Sequence, residues 1–248
     1  MIENNLFQFD VGQQTDKGCV RDHNEDNFLS KSQSGLWVVA DGMGGHAAGG
    51  FASQTITEQA DTVGVPSSAQ DLQARFMERL THANNIIRNH AKTMGGAIIG
   101  ATLVTLLIYE DSFACIWSGD SRIYLLRDGA LMRVTTDHTE VQELLASNSL
   151  TPEEAENWPR KNVITRAIGV TEEPNCEIIS GTLQPNDVFL LCSDGLTEHL
   201  VDFEIKQFLE TGSAQSICDE LISETLARGA KDNTTVVVVR CSQDILKA

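Results

Sequence analysis

The sequence predicts an α+β fold in which helices cover β-sheets packed face to face, and three observations lead there. Short apolar segments recur with turn signals between them, about eight or nine in all. Most of the connections are short, which makes neighbouring strands antiparallel hairpins rather than alternating β-α-β units. Helical periodicity gathers in two places, each time as two helices in a row.

In chain order, FQFDVGQQTD (7–16) and LWVVA (36–40) read as strands. Two helices follow, over 47–62 and 69–93; in LQARFMERLTHANNIIRNHA apolar residues return at three and four positions. ATLVTLLIY (101–109), FACIWSG (113–119) and SRIYLLRDGALMRVT (121–135) are strand sequences again, and Asp128-Gly129 in the last is a strong hairpin signal. Residues 137–161, DHTEVQELLASNSLTPEEAENWPRK, are polar and helix-prone and read as an insertion or flap. Within them Thr151-Pro152-Glu153-Glu154 looks like a helix start, with Thr as N-cap, Pro at the first position and Glu closing a capping box. CEIISGTL (176–183) and DVFLLCSD (187–194) are further strands. A helical stretch over 203–228 breaks near Thr211-Gly212-Ser213, and TTVVVVRC (234–241) is the last strand.

Of 248 residues, 35 are Asp or Glu and 18 are Lys or Arg, a formal charge of -17. That balance argues against nucleic acid or an anionic membrane as partner, since both need a basic face. The longest apolar stretch, 101–109, is far short of the ~20 residues that cross a bilayer. MIENNLFQFD lacks the basic and apolar regions of a signal peptide. The six cysteines are scattered with no C-x-x-C pair, so they read as reduced thiols of a cytoplasmic, free-standing catalytic domain spanning 1–248.

LWVVADGMGGHAAGG (36–50) carries a glycine pattern, Gly42-x-Gly44-x-x-Ala47, that fits a dinucleotide site. The context does not. Glu58 and Asp61, at the right distance for the ribose-binding acid, lie in helical sequence, and Asp41 would repel a phosphate. Asp41 has company. Asp194, Asp120 and Asp232 also stand at the ends of apolar runs next to Gly, Ser or Asn, and Asp26 closes RDHNED (21–26). One such aspartate is an ordinary turn former. Five together read as a site for hard divalent cations, because Mg²⁺ and Mn²⁺ prefer a few carboxylates and retained waters. A glycine after the Asp lets the backbone approach the ion. Two such ions ~3.5–4 Å apart turn a bridging water into hydroxide that attacks phosphorus in line. Arg21, in the loop after the first strand, is the group suited to hold the substrate phosphate bidentately.

Taken together, GCVRDHNEDNF (18–28), WVVADGMGGHAAGG (37–50), GATLVTLLI (100–108), WSGDSRIYLLRDGAL (117–131), TDHT (136–139), ITRAIG (164–169), LLCSDGLTEHL (190–200) and KDNTTVVVV (231–239) resemble the metal-dependent, type 2C serine/threonine protein phosphatases in their compact bacterial form. The resemblance implies a four-layer αββα sandwich and hydrolysis of phosphoserine and phosphothreonine in proteins with Mn²⁺ or Mg²⁺. It implies that Asp41 bridges two metals, that the Gly42 carbonyl binds the second, and that Asp194 and Asp232 complete the first. Asp26 and Glu25 would bind metal-ligated water, Asp120 with Asp194 a third, weaker ion, and Arg21 the phosphate. The stretch 137–161 falls where the family carries its flap.

Animal members have a histidine two residues after the bridging Asp, where this chain has Met43; His46, close by, reads as structural in that turn. A binding module descended from a phosphatase would have lost Asp41, Asp194 or Asp232, and all are present. A two-metal nuclease is disfavoured by the -17 charge. A calcium loop of the type D-x-[DN]-x-[DN]-G is absent from the sequence. The expected partners are phosphorylated proteins, targets of a serine/threonine kinase, and the expected state is a monomer.

Overall fold

The structure is a computed structural model that describes residues 7–44 and 48–243. Two antiparallel sheets form its centre. The first runs β1 (Phe7–Asp16), β11 (Thr234–Gln243), β10 (Val188–Cys192), β7 (Arg122–Arg127) and β8 (Ala130–Arg133). The second runs β2 (Asp26–Lys31), β3 (Leu36–Met43), β5 (Leu103–Tyr109), β6 (Ser112–Ser118) and β9 (Glu177–Thr182), with short β4 (Gly100–Ala101) paired to β3. Helices α1 (Ala48–Asp61) and α2 (Ala69–Thr93) cover the second sheet. Helices α6 (Asp202–Leu209) and α7 (Ala214–Ala227) cover the first. The αββα sandwich is the expected one.

The central strands are apolar without alternation because both of their faces are buried. In β3, Leu36, Val38 and Ala40 pack toward α1 and α2, while Trp37 and Val39 point into the inter-sheet core. In β11, Val237 and Val239 meet that same core and Val236 and Val238 face the helices. The run VVVV is the signature of a strand sandwiched on both sides. The Asp128-Gly129 turn closes the β7–β8 hairpin with positive φ at both residues, 50° and 72°, which matches the twist of the strands.

The sequence reading differs from the structure in four places. Strand β2 was not anticipated, since DNFLSK offers little apolar content; its pairing to β3 supplies the order. Asp41 lies inside β3 rather than at a strand's end, because β3 continues to Met43 by pairing with β2 and β4. Asp194 does not close a strand but opens α5 (Asp194–Thr197), a single turn too short to show periodicity. The run 101–109 is split at Thr102, where the chain leaves β4 for β5.

The segment 137–161 forms α3 (Glu140–Ala146) and α4 (Pro152–Glu156), neither with a buried residue. Thr151 and Glu154 make the expected capping box. This segment hangs on a two-stranded neck, where Thr139 bridges Ile164 and the Thr165 amide donates to the His138 carbonyl at 2.8 Å.

Candidate active site

A cleft of about 580 Å³ draws its walls from both sheets. Asp41 enters it from β3, and Asp120 from the turn between β6 and β7. Asp194 comes from the start of α5 and Asp232 from the approach to β11, with Arg21 and Glu25 supplied by the loop between β1 and β2. Asp26 is not on the cleft surface. It is 4% exposed and sits opposite Asp41 in the β2–β3 register.

Asp41 is held by its backbone. Its amide donates to Thr102 Oγ1 at 3.1 Å and its carbonyl accepts from the Thr102 amide at 2.8 Å. Thr102 in turn shares a 2.7 Å hydroxyl hydrogen bond with Ser121, beside Asp120. The glycines that follow Asp41 serve close approach rather than nucleotide binding. A Cβ on Gly42 would lie 2.2 Å from the Gly49 carbonyl oxygen, and one on Gly49 would lie 2.6 Å from the Gly42 carbonyl carbon. Strand and helix touch backbone to backbone, which keeps the start of α1 against the cleft. Glu25 reaches that helix: its Oε1 accepts from the Gly50 amide at 3.4 Å.

Asp194 and Asp232 are brought together by a second such contact. A Cβ on Gly195 would lie 2.0 Å from the Asn233 carbonyl oxygen, so only glycine lets α5 settle on the start of β11. Asn233, 5% exposed, then ties the first loop to the same point. Its amide nitrogen donates to the Lys17 and His23 carbonyls, each at 2.9 Å, and its Oδ1 accepts from the Glu25 amide at 2.8 Å. Arg21 completes this corner with a 2.5 Å ion pair to Asp232.

The charges are crowded. Burial, followed by the neighbouring carboxylates Asp26, Asp194, Asp120 and Asp232, holds the Asp41 carboxyl well above the usual range. Burial and the charges of Asp120, Glu198, Asp232 and Asp26 push Asp194 up to about 8. Asp120 is pushed up to about 6, by burial and then by Asp137. Asp26 also stands at about 6 through burial, in spite of hydrogen bonds from Thr235 at 2.7 Å and Ser193 at 2.8 Å. Converging carboxylates that a protein does not neutralise call for a bound cation.

Two buried oxygens make the same point. Asp26 Oδ1 and Asp194 Oδ1 are sealed from solvent with no hydrogen-bond partner among the described residues. Such atoms are rare in folded proteins because each costs about 1–3 kcal/mol. Among the described residues no group of three or more His, Cys, Asp or Glu side chains is gathered closely enough to hold a metal ion by itself. Mg²⁺ and Mn²⁺ do not need one, since they keep several waters and take one or two carboxylates each. The donor set, oxygen throughout, fits such ions and not zinc.

Sequence reasoning passed over three residues that build this site. Thr102 and Asn233 were visible only as polar residues beside apolar runs, and Ser193 as part of a serine-aspartate pair. Their roles depend on partners as distant as His23 and Asp26. Met43 lines the cleft and offers no titratable proton. His46 lies outside the described residues.

A cleft of carboxylates with one guanidinium on its rim belongs to a protein that handles phosphate esters with help from divalent cations. The protein phosphatase 2C profile matches residues 20–231, and the chain belongs to that family. It is 34% identical over 234 residues to serine/threonine phosphatase stp of Listeria monocytogenes, a match spanning 91% of this chain and 93% of that one. Protein phosphatase PhpP of Streptococcus pneumoniae is 33% identical over 241 residues, covering 93% and 96%. Among solved structures, PppA of Pseudomonas aeruginosa superposes with a TM-score of 0.87 at 38% identity, covering 94% of this chain and 97% of that one. The catalytic domain of PstP in complex with two manganese ions gives 0.83 at 33% identity, covering 96% and 99%.

Proposed function

We propose that this protein hydrolyses phosphoserine and phosphothreonine in proteins at a centre of two Mn²⁺ or Mg²⁺ ions held in the cleft. The observation that carries this reading is the convergence of Asp41, Asp194, Asp120 and Asp232 with buried Asp26, two of these five having an orphaned buried oxygen. Asp41, with the Gly42 carbonyl beside it, would hold the ions from the β3 side of the cleft. Asp194 and Asp232 approach from the other wall. Asp26 and Glu25 would bind water on the ions, and Asp120 with Asp194 would hold a weaker third ion.

When bound, such ions acidify a shared water and neutralise charge on the phosphoryl group. The chain's own residues do the rest. Arg21 lies on the rim, its side chain 55% exposed, and turns its free nitrogens to the substrate phosphate while Asp232 orients it. Thr102 fixes the Asp41 backbone, and Asn233 fixes the loop that carries Arg21 and Glu25. The flap neck closes one side of the cleft through Asn162 and Ile164. The manganese in PstP supports this choice of ion. The named activity of stp and PhpP supports phosphorylated proteins, made by serine/threonine kinases, as substrates. No helix among the described residues is long and apolar enough to cross a membrane.

The test is phosphate release from p-nitrophenyl phosphate and a phosphothreonine peptide, with Mn²⁺, with Mg²⁺ and with EDTA, beside Asp41→Asn and Asp194→Asn. Metal-dependent release that EDTA and both substitutions abolish supports the reading. Release that persists in EDTA, or none with either metal, overturns it.

A further inference from the structure

A second cavity, of about 680 Å³, adjoins the catalytic cleft and shares Asp120, Asp194 and Asn162 with it. It lies between the flap and the β7–β8 hairpin, with α3 and α4 forming one wall and Arg122 and Arg133 the other. Its charge differs from that of the molecule around it. Arg122, Arg133, Lys161 and Lys231 line it. Once Asp120 and Asp194 are committed to the metal centre, the carboxylates left to face these four cations are Asp137 and Glu198.

Asp137 is already taken. Arg122 holds both of its oxygens, with contacts of 2.7, 3.0 and 3.2 Å, and Arg133 stands 3.8 Å away. Glu198 accepts from the Asn162 side chain at 3.3 Å. Lys161 and Lys231 are exposed and, among the described residues, neither has a carboxylate within ion-pair distance. Elsewhere on this acidic chain most arginines are spent on carboxylates of their own, as Arg160 is on Glu140 and Arg228 on Glu204. Two unpaired ammonium groups lining one cavity, next to the catalytic cleft of a chain with a charge of -17, form a local positive field beside the substrate's path.

We propose that this cavity is a specificity subsite that receives an anionic side chain, a carboxylate or a second phosphoryl group, close in sequence to the phosphoresidue being hydrolysed. The inference rests on the phosphatase reading above. Asn162 lines both cavities, so a protein substrate with its phosphoresidue among the carboxylates of the first cleft can lay its neighbouring chain across Asn162 into the second. An acidic neighbour there finds Lys161 from the flap and Lys231 from the main body, two cations that an apolar neighbour leaves unpaired.

The test uses the Mn²⁺-loaded protein and phosphothreonine peptides that differ only in the flanking positions: alanines, glutamates before, glutamates after, or a phosphoserine on either side. The readout is the ratio of kcat/KM for each anionic peptide to that for the alanine peptide, taken within one enzyme so that any general loss of activity cancels. The wild type is expected to favour one register by about three- to tenfold, as two rim ion pairs would give. The preference shrinks with added salt, and Lys161→Glu with Lys231→Glu reverses it. The glutamate and phosphoserine arms separate a carboxylate site from a phosphoryl site.

Turnover of the alanine peptide with every ratio near one, or a preference that survives both charge reversals, overturns the subsite and leaves the phosphatase reading standing. If no peptide is hydrolysed, the phosphatase reading has failed. Fluorescence anisotropy of the same labelled peptides then decides the subsite: tighter binding of an acidic peptide, lost on charge reversal, supports it, and equal binding of acidic and alanine peptides refutes it.

Discussion

Asp26 and Asp41 stand directly opposite each other in the antiparallel pairing of β2 and β3, two carboxylates where a sheet would ordinarily put an ion pair or two apolar groups. Like charges in that position destabilise the sheet. The arrangement is repaired by protons or by metal, and the two remedies compete. Asp26 and Asp120 have folded-state pKa values of about 6 and Asp194 of about 8, all above the ordinary carboxylate value near 3.9.

Between about pH 4 and about pH 8 the folded chain therefore binds more protons than the unfolded one, and metal-free stability falls as pH rises through that window. Mn²⁺ displaces those protons, so its stabilising effect grows over the same interval. Thermal melts in EDTA and in Mn²⁺ across this range check both statements. A melting temperature in EDTA that climbs toward pH 8, or a metal increment that shrinks, would show that the carboxylates are not crowded as described.

Arg21 is paired with Asp232, and in the function proposed above it also holds the substrate phosphate. Arg21→Ala is expected to raise KM for a phosphopeptide by about tenfold or more, since a charge-assisted bidentate contact is lost. Arg21→Lys should fall between, keeping charge without the fork. The same Arg21→Ala substitution frees Asp232, so the Mn²⁺ concentration for half-maximal activity should decrease. Steady-state kinetics at varied metal separate these effects, and a rise in the metal requirement would contradict the ion pair's assigned role.

Gly195→Ala places a methyl group 2.0 Å from the Asn233 carbonyl oxygen. Backbone cannot rotate away as a side chain can, so α5 must lift from β11. A loss of about 1–3 kcal/mol in urea-melt stability is expected, with a weaker metal site because Asp194 moves with the helix. Stability and Mn²⁺ affinity equal to wild type would mean that this contact does not set the distance between Asp194 and Asp232.

Asn233→Ala removes three hydrogen bonds at a buried point and leaves the Lys17 and His23 carbonyls without their donor. The expected cost is about 2–4 kcal/mol. It should be accompanied by faster amide exchange across 17–25, the loop that carries Arg21 and Glu25. Unchanged exchange in that loop would count against the clamp.

Much of this protein is legible along the chain. The strands and the paired helices are written in local pattern: VVVV over 236–239, Asp128-Gly129 between two apolar runs, the three-and-four spacing of 69–93. Local pattern works there because burial on one or both faces imposes a period that the residues must obey. The candidate carboxylates were legible too, as aspartates punctuating apolar runs, though the true place of Asp41 inside β3 and of Asp194 at a helix start was not.

Distance between these groups is not written along the chain. Asp26 meets Asp41 through a strand pairing that DNFLSK does not advertise. Asp194 meets Asp232 because Gly195 lets one backbone rest on another 38 residues away in sequence. Asn233 acts on carbonyls more than 200 positions distant. A period along the chain records which side of an element faces the core, whereas an active site depends on which elements touch. That is settled by packing between residues with no sequence relation to one another.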